Sequence, residues 1–195
     1  MKKIVLTLFV AAAFFSAVKA QVSGGVKGAL NFATTVSPEN NFDTDTKIAP
    51  AAGGFIEFGL IDKLSFQPEL LLSFQGSRTK SGGTTYKENF TYINIPLIFK
   101  YQLVGGLHAE LGPQLGFLIA AHQKEKRDGY EEKRDVKDNR EGTDLGLNIG
   151  LGYEVQNLIF DLRYYWGWSE IYEIGINNEP VRNSLWQIGV GYRLF

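Results

Sequence analysis

From Gln21 to the C-terminus, apolar side chains recur at every second position, and a period of two excludes helical folds before any residue is considered for chemistry. The last segment shows the pattern. Trp186, Ile188, Val190, Tyr192 and Leu194 share one face, and Gln187, Gly189, Gly191 and Arg193 share the other. Before it, Leu158, Phe160, Leu162, Tyr164, Trp166 and Trp168 alternate with Ile159, Asp161, Arg163, Tyr165 and Gly167. The same rule predicts strands over Leu145–Glu154, Leu107–Ile119, Ile93–Gln102, Leu64–Gln75, Phe55–Leu60 and Val26–Phe32. The two most N-terminal of these are diluted by Gly and Ala.

Eight strands is an even number, and the connections alternate in length. Those near Ile61–Lys63, Val104–Gly106 and Gln156–Asn157 are short, whereas Thr34–Lys47, Gly76–Asn89, His122–Gly142 and Ile171–Arg182 are long and polar. Short turns at one end and long loops at the other mark a membrane barrel with periplasmic turns and outer loops. The expected fold is therefore all-β: an eight-stranded antiparallel transmembrane β-barrel, an up-and-down meander with both termini periplasmic. Aromatic positions agree. Tyr101, Tyr153 and Tyr192 fall at the predicted periplasmic ends, and Phe74, Trp166, Trp168 and Trp186 at the outer ends. Two such belts around aliphatic residues suit the two interfaces of a bilayer. Pro68, Pro96 and Pro113 lie within predicted strands, where a missing N–H predicts bulges or gaps in the ladder.

The first twenty residues have a separate purpose. Lys2 and Lys3 precede an apolar run from Ile4 to Phe15, and Val18 and Ala20 occupy the −3 and −1 positions of a cleavage site. A signal peptide over residues 1–20 and a barrel domain over 21–195 are expected. The apolar run is shorter than the roughly 20 residues of a spanning helix. Cleavage would remove Lys2, Lys3 and Lys19, leaving 17 basic against 21 acidic residues, a net charge near −4. Nucleic acid is not an expected partner. With no Cys, the chain has no disulfide framework, thiolate metal site or lipidated Cys.

Three blocks carry a family resemblance. Gln67-Pro68-Glu69-Leu70-Leu71-Leu72-Ser73-Phe74-Gln75-Gly76, Tyr92-Ile93-Asn94-Ile95-Pro96-Leu97 and Glu110-Leu111-Gly112-Pro113-Gln114-Leu115-Gly116 follow in the order of the PorT-like outer-membrane β-barrel proteins of Bacteroidetes-type bacteria, which they resemble. The resemblance implies a Gram-negative outer-membrane barrel, with a role in protein secretion or envelope maintenance. One feature departs. Family members often end with Phe last and Tyr two before it, but Tyr192 stands three before Phe195. Which of Leu194 and Phe195 the barrel assembly machinery reads stays open.

The polar face carries the candidate chemistry. Lys27, Lys100, Arg163 and Arg193 oppose Glu57, Glu69, Glu110, Glu154 and Asp161. Eight strands leave an interior just wide enough for side chains. Charges there need partners, so a lumen network of ion pairs is expected. A narrow ion path is the alternative. An open nutrient pore is not, because porins use roughly 16 strands or more. An enzyme acting on lipid needs a nucleophile, a base and an orienting acid within reach. His108 and Glu110 share a face with no Ser clearly beside them, and His122, Ser169 and Glu170 are scattered on the outer rim. Two His residues without Cys form no recognised metal-ligand spacing. The Gly-rich stretches Gly24-Gly25, Gly53-Gly54 and Gly146–Gly152 lack the Lys and helix start of a phosphate loop. No catalytic, metal or cofactor site is expected.

The segment His122–Gly142 carries seven basic and seven acidic residues, which reads as a solvated loop. Contact of Lys124, Lys126, Arg127, Lys133 and Arg134 with lipopolysaccharide phosphates is the alternative, and the balanced charge argues against a strong anion trap. The expected function is a non-enzymatic envelope, partner-binding or secretion-accessory barrel. Its expected partners are outer-membrane lipid, lipopolysaccharide, the assembly machinery, and secretion or envelope proteins. A soluble, lipocalin-like barrel with its apolar face inward is a further alternative, since alternation alone does not tell inside from outside.

Overall fold

The computed structural model describes residues 22–36, 44–81, 84–127, 130–137, 141–170 and 182–195. The predicted signal peptide, and most of the predicted loop Ile171–Arg182, lie outside the described residues. Among the described residues eleven strands follow one another: β1 (Val22–Val36), β2 (Thr44–Asp45), β3 (Lys47–Ile61), β4 (Leu64–Gln75), β5 (Arg78–Ser81), β6 (Thr84–Val104), β7 (Leu107–Arg127), β8 (Tyr130–Asp135), β9 (Thr143–Val155), β10 (Leu158–Glu170) and β11 (Arg182–Arg193).

Eight of them close a ring in chain order: β1, β3, β4, β6, β7, β9, β10 and β11, each antiparallel to the next. The ring is completed by β11 on β1, from Gly25 opposite Arg193 to Val36 opposite Arg182. Closure removes the unpaired edges that an open sheet would expose. The Leu158–Glu170 strand matches its prediction closely, and β1 and β3 run longer than predicted because ladder pairing holds Gly and Ala positions that carry no hydrophobic signal.

The alternation resolves into inside and outside. Leu70 and Leu72 are 59% and 43% exposed, while Leu71 between them is 2% exposed. The apolar face therefore turns outward, which overturns the lipocalin-like alternative. Tight hairpins enclose Asp62-Lys63, Gly105-Gly106 and Gln156-Asn157, all at one end of the barrel. Gly105 and Gln156 take left-handed φ values of 56° and 55° there, as two-residue hairpins require. The described residues begin and end at this same turn end, where Leu194 donates its N–H to the Gly24 carbonyl.

At the opposite, hairpin end, much of the long polar connections predicted at Gly76–Asn89 and His122–Gly142 is strand rather than loop. β5 continues β4 in one register against β6, past a break at Gly76 whose φ is 140°. β7 runs on to Arg127 and turns back as β8. With β2 on β5, a five-stranded extension β2-β5-β6-β7-β8 stands beyond the barrel wall. These stretches lack apolar alternation, so the hydrophobic signal was silent. Backbone pairing simply propagates along strands that the barrel has already aligned.

The prolines produce gaps rather than bulges. Partner positions are missing between Pro68 and Leu71 of β4 against β6, and between Pro96 and Phe99 of β6 against β7, with no change of register. The bulges lie elsewhere, at Thr91/Tyr92, Gln102/Val104, Gly59/Ile61 and Trp166/Glu170.

Candidate functional site

Inward side chains of alternate strands reach the same height in a tilted barrel and stack as layers. The lumen here follows that rule with charge. Nearest the turn end, Glu57 on β3, Lys100 on β6, Glu154 on β9 and Arg193 on β11 close a ring. Lys100 Nζ lies 3.1 Å from Glu57 Oε2 and also pairs with Glu154. Arg193 Nη2 lies 3.1 Å from Glu57 Oε2 and 2.9 Å from Glu154 Oε2. Two cations and two carboxylates thus alternate around the bore. Ser65 donates to Glu57 Oε1 at 2.6 Å. A cavity of about 740 Å³, lined in part by Glu57, Ser65, Lys100, Gln102 and Glu154, opens below this ring.

The next ring uses the other four barrel strands: Lys27 on β1, Glu69 on β4, Glu110 on β7, and Asp161 with Arg163 on β10. Lys27 Nζ lies 2.9 Å from Asp161 Oδ1 and 3.5 Å from Glu69 Oε2. Arg163 reaches Glu69 Oε1 at 2.8 Å with Nη2 and Glu110 Oε2 at 2.5 Å with Nε. His108 Nε2 stands 3.1 Å from Glu110 Oε1, and its Nδ1 3.3 Å from the Gly106 carbonyl. Gln67 ties the two rings together, donating to Glu69 Oε1 at 2.7 Å and accepting from Lys100 at 3.3 Å. All five charged groups of this second ring are buried.

Beyond the charges the filling becomes neutral. Asn31 donates to Ser73 Oγ at 2.9 Å and to the Phe74 carbonyl at 3.0 Å, and accepts from Gln187 at 2.8 Å. Asn148 donates to Gln114 at 3.2 Å. Toward the hairpin end apolar clusters join the filling: Ala33, Tyr165 and Leu185 pack together, as do Phe90, Tyr92, Leu118 and Ala121 with Val136, and beside them Asn183 donates to the buried Asp144 at 2.7 Å. Glycine makes room where the charged groups crowd. A Cβ on Gly152 would stand 2.2 Å from His108 Nε2, and one on Gly189 2.6 Å from the Asp161 carboxylate.

All nine charged residues predicted for the polar face point into the bore and are brought together in these two rings. The seven aromatic residues assigned to belts are exposed on the outer wall. Tyr101, Tyr153 and Tyr192 lie toward the turn end; Phe74, Trp166, Trp168 and Trp186 lie toward the hairpin end. Phe195 also lies on the wall, its ring Cζ 2.7 Å from where a Cβ on Gly24 would stand.

The polar residues weighed for catalysis are occupied otherwise. His108 bonds with Glu110 and Gly106 rather than a hydroxyl, and Ser169 Oγ accepts the Leu145 N–H at 2.9 Å. His122 sits on the extension, opposite Asn89 and Asp135, while the side chain of Glu170 lies outside the described residues.

Sequence reasoning missed Gln67 as the bridge between rings. It also missed Lys47, which donates to the Gln75 and Glu88 carbonyls at 2.9 and 3.1 Å and to Asn89 Oδ1 at 2.9 Å across the break at Gly76. Period two places Gln67 inward, but no local signal names its partners.

A family model described as outer membrane protein beta-barrel domain matches residues 11–173 of the chain. No curated protein sequence matches significantly. Among solved structures, Neisserial surface protein A is similar at a TM-score of 0.52 and 15% identity, covering 88% of this chain and 97% of that one. Ail, the attachment invasion locus protein of Yersinia pestis, is similar at 0.46 and 15% identity, covering 91% of this chain and 100% of that one.

Proposed function

The chain belongs to the outer membrane protein β-barrel domain family, and from that membership we propose that it is a plugged, non-enzymatic barrel acting through the structure it holds beyond the membrane. The observation that carries this reading is the filled bore. Two ion-paired rings, an amide layer and a layer of apolar clusters with the Asn183–Asp144 pair follow one another along the axis. Each charge of the two rings has an oppositely charged partner, so hydrating and freeing one for conduction means breaking a low-dielectric pair. A lumen of this kind holds the wall in shape rather than passing solutes.

In this reading residues 1–20 export the chain and are removed, and the turn end with both termini faces the periplasm. The two aromatic bands sit at the bilayer interfaces, and the five-stranded extension stands outside the cell. Outer-membrane lipid surrounds the wall. The resemblance to PorT-like proteins supports an envelope or secretion-accessory role, in which the extension or the turn end engages a partner protein.

Three measurements test it. Protein refolded into planar bilayers is expected to give no stepwise conductance, and regular steps would overturn the plugged reading. Protein taken from the outer-membrane fraction is expected to migrate differently before and after boiling in detergent. Deletion is expected to alter the secreted proteome, and an unchanged one would remove the secretion role.

A further inference from the structure

The extension sorts its charges by face. Register places Arg78 of β5 opposite Lys87 of β6, Lys87 opposite Lys124 of β7, and Lys124 opposite Lys133 of β8. Four cationic positions therefore form one row across four adjacent strands. Directly opposite positions in an antiparallel sheet share a face, and like charges there repel. Lys80 and Lys126 occupy the same face one step further out. The acidic positions on it are Asp45 beside Arg78, Glu131 opposite Lys126, and Asp135 opposite His122. The other face takes Glu88, Glu125 and Glu132, with Arg127 and Arg134. A segment that is neutral in sequence becomes cationic on one side.

The cationic side continues the outer wall. On β6, Glu88 and Phe90 are buried and face the bore, which leaves Lys87 outward, where it is exposed. On β7, Leu115, Phe117 and Ile119 are outward up to the bulge opposite Thr91/Tyr92. The extra residue at the bulge reverses parity, so that Ala121 turns inward and even-numbered positions, Lys124 among them, face out. Lys124 then stands about 10 Å beyond the last apolar wall residue along the barrel axis, allowing for a rise of roughly 3.3 Å per residue and a tilt near 40°. The headgroup layer extends about 5–8 Å beyond the hydrocarbon edge, and a Lys side chain bends back to reach it.

We propose that the row Arg78–Lys87–Lys124–Lys133 is a binding site for the phosphate groups of lipid headgroups in the leaflet around the barrel. Several adjacent cationic positions suit a headgroup bearing more than one phosphate, such as lipid A. The proposal rests on the reading of the chain as a membrane barrel, but not on which end faces outward.

The test uses the refolded protein in phosphatidylcholine vesicles with and without lipid A, read by the temperature at which the folded band is lost on unboiled gels. Lipid A is expected to raise that temperature, and added salt to shrink the rise by screening. The variant R78Q/K87Q/K124Q/K133Q is expected to fold in phosphatidylcholine at least as stably as the wild type, and to lose most of the rise. K63Q, at the turn end, is expected to keep it. An equal rise in the quadruple variant overturns the proposal. Inorganic pyrophosphate added to phosphatidylcholine vesicles separates the sources. No rise supports a lipid headgroup, and a rise as large as that with lipid A overturns the assignment to the leaflet. Failure of the wild type to insert at all would instead sink the membrane-barrel reading.

Discussion

Arg163 and Glu69 lie 2.8 Å apart across the full width of the barrel, on β10 and β4, which stand four strands from each other in either direction around the ring. No sheet hydrogen bond joins these strands, so the pair braces the bore directly. Removing one member of a buried pair leaves the other charge without compensation. Arg163→Met leaves Glu69, Glu110 and Asp161 facing Lys27 alone, and is expected to cost about 3–5 kcal/mol of stability. R163M/E69Q is expected to recover part of it. Urea unfolding from vesicles measures both; a loss below about 1 kcal/mol in R163M, the range of an exposed pair, would show that the ring is solvated.

Gly152 and His108 make a second test of packing. A Cβ at residue 152 would collide with the imidazole, which is buried and held by Glu110 and the Gly106 carbonyl. Gly152→Ala is expected to destabilise by about 1–3 kcal/mol, as overpacking does. In the H108A background the same change is expected to cost little, and equal cost in both backgrounds would remove steric conflict as the cause.

The outer wall predicts an asymmetric response to charge. Leu151 is 53% exposed at mid-height on the wall, opposite Leu162. In lipid, Leu151→Arg is expected to cost about 2–4 kcal/mol. Arg at exposed Asp62, in a turn, is expected to be near neutral. Similar unfolding curves for the two variants would mean that the wall does not face hydrocarbon.

Orientation is accessible because the chain has no Cys. Single replacements at exposed Asp62, in a turn, and exposed Glu141, at the hairpin end, report the two sides. A membrane-impermeant maleimide is expected to label E141C on whole cells, and D62C only after the envelope is opened. The reverse pattern would invert the proposed topology.

Much of this protein follows from its order of residues. Alternation placed Lys27, Glu69, Glu110, Asp161 and Arg163 on one face and Leu158, Phe160 and Leu162 on the other, and short connections placed three turns at one end. These are local properties: strand pleat has a period of two whatever the strand pairs with. Tertiary structure decided which face is inside, because only ring closure turns one face of a sheet into a bore. It also decided the partners. Arg163 meets Glu69, ninety-four residues away, because tilt brings alternate strands to one height. The charges of His122–Gly142 cancel in sequence, yet a bulge and the register of β5 to β8 gather Lys87 and Lys124 on one outward face. Register is a relation between distant strands, and a shift of one residue exchanges the two faces, so no reading of a single segment contains it.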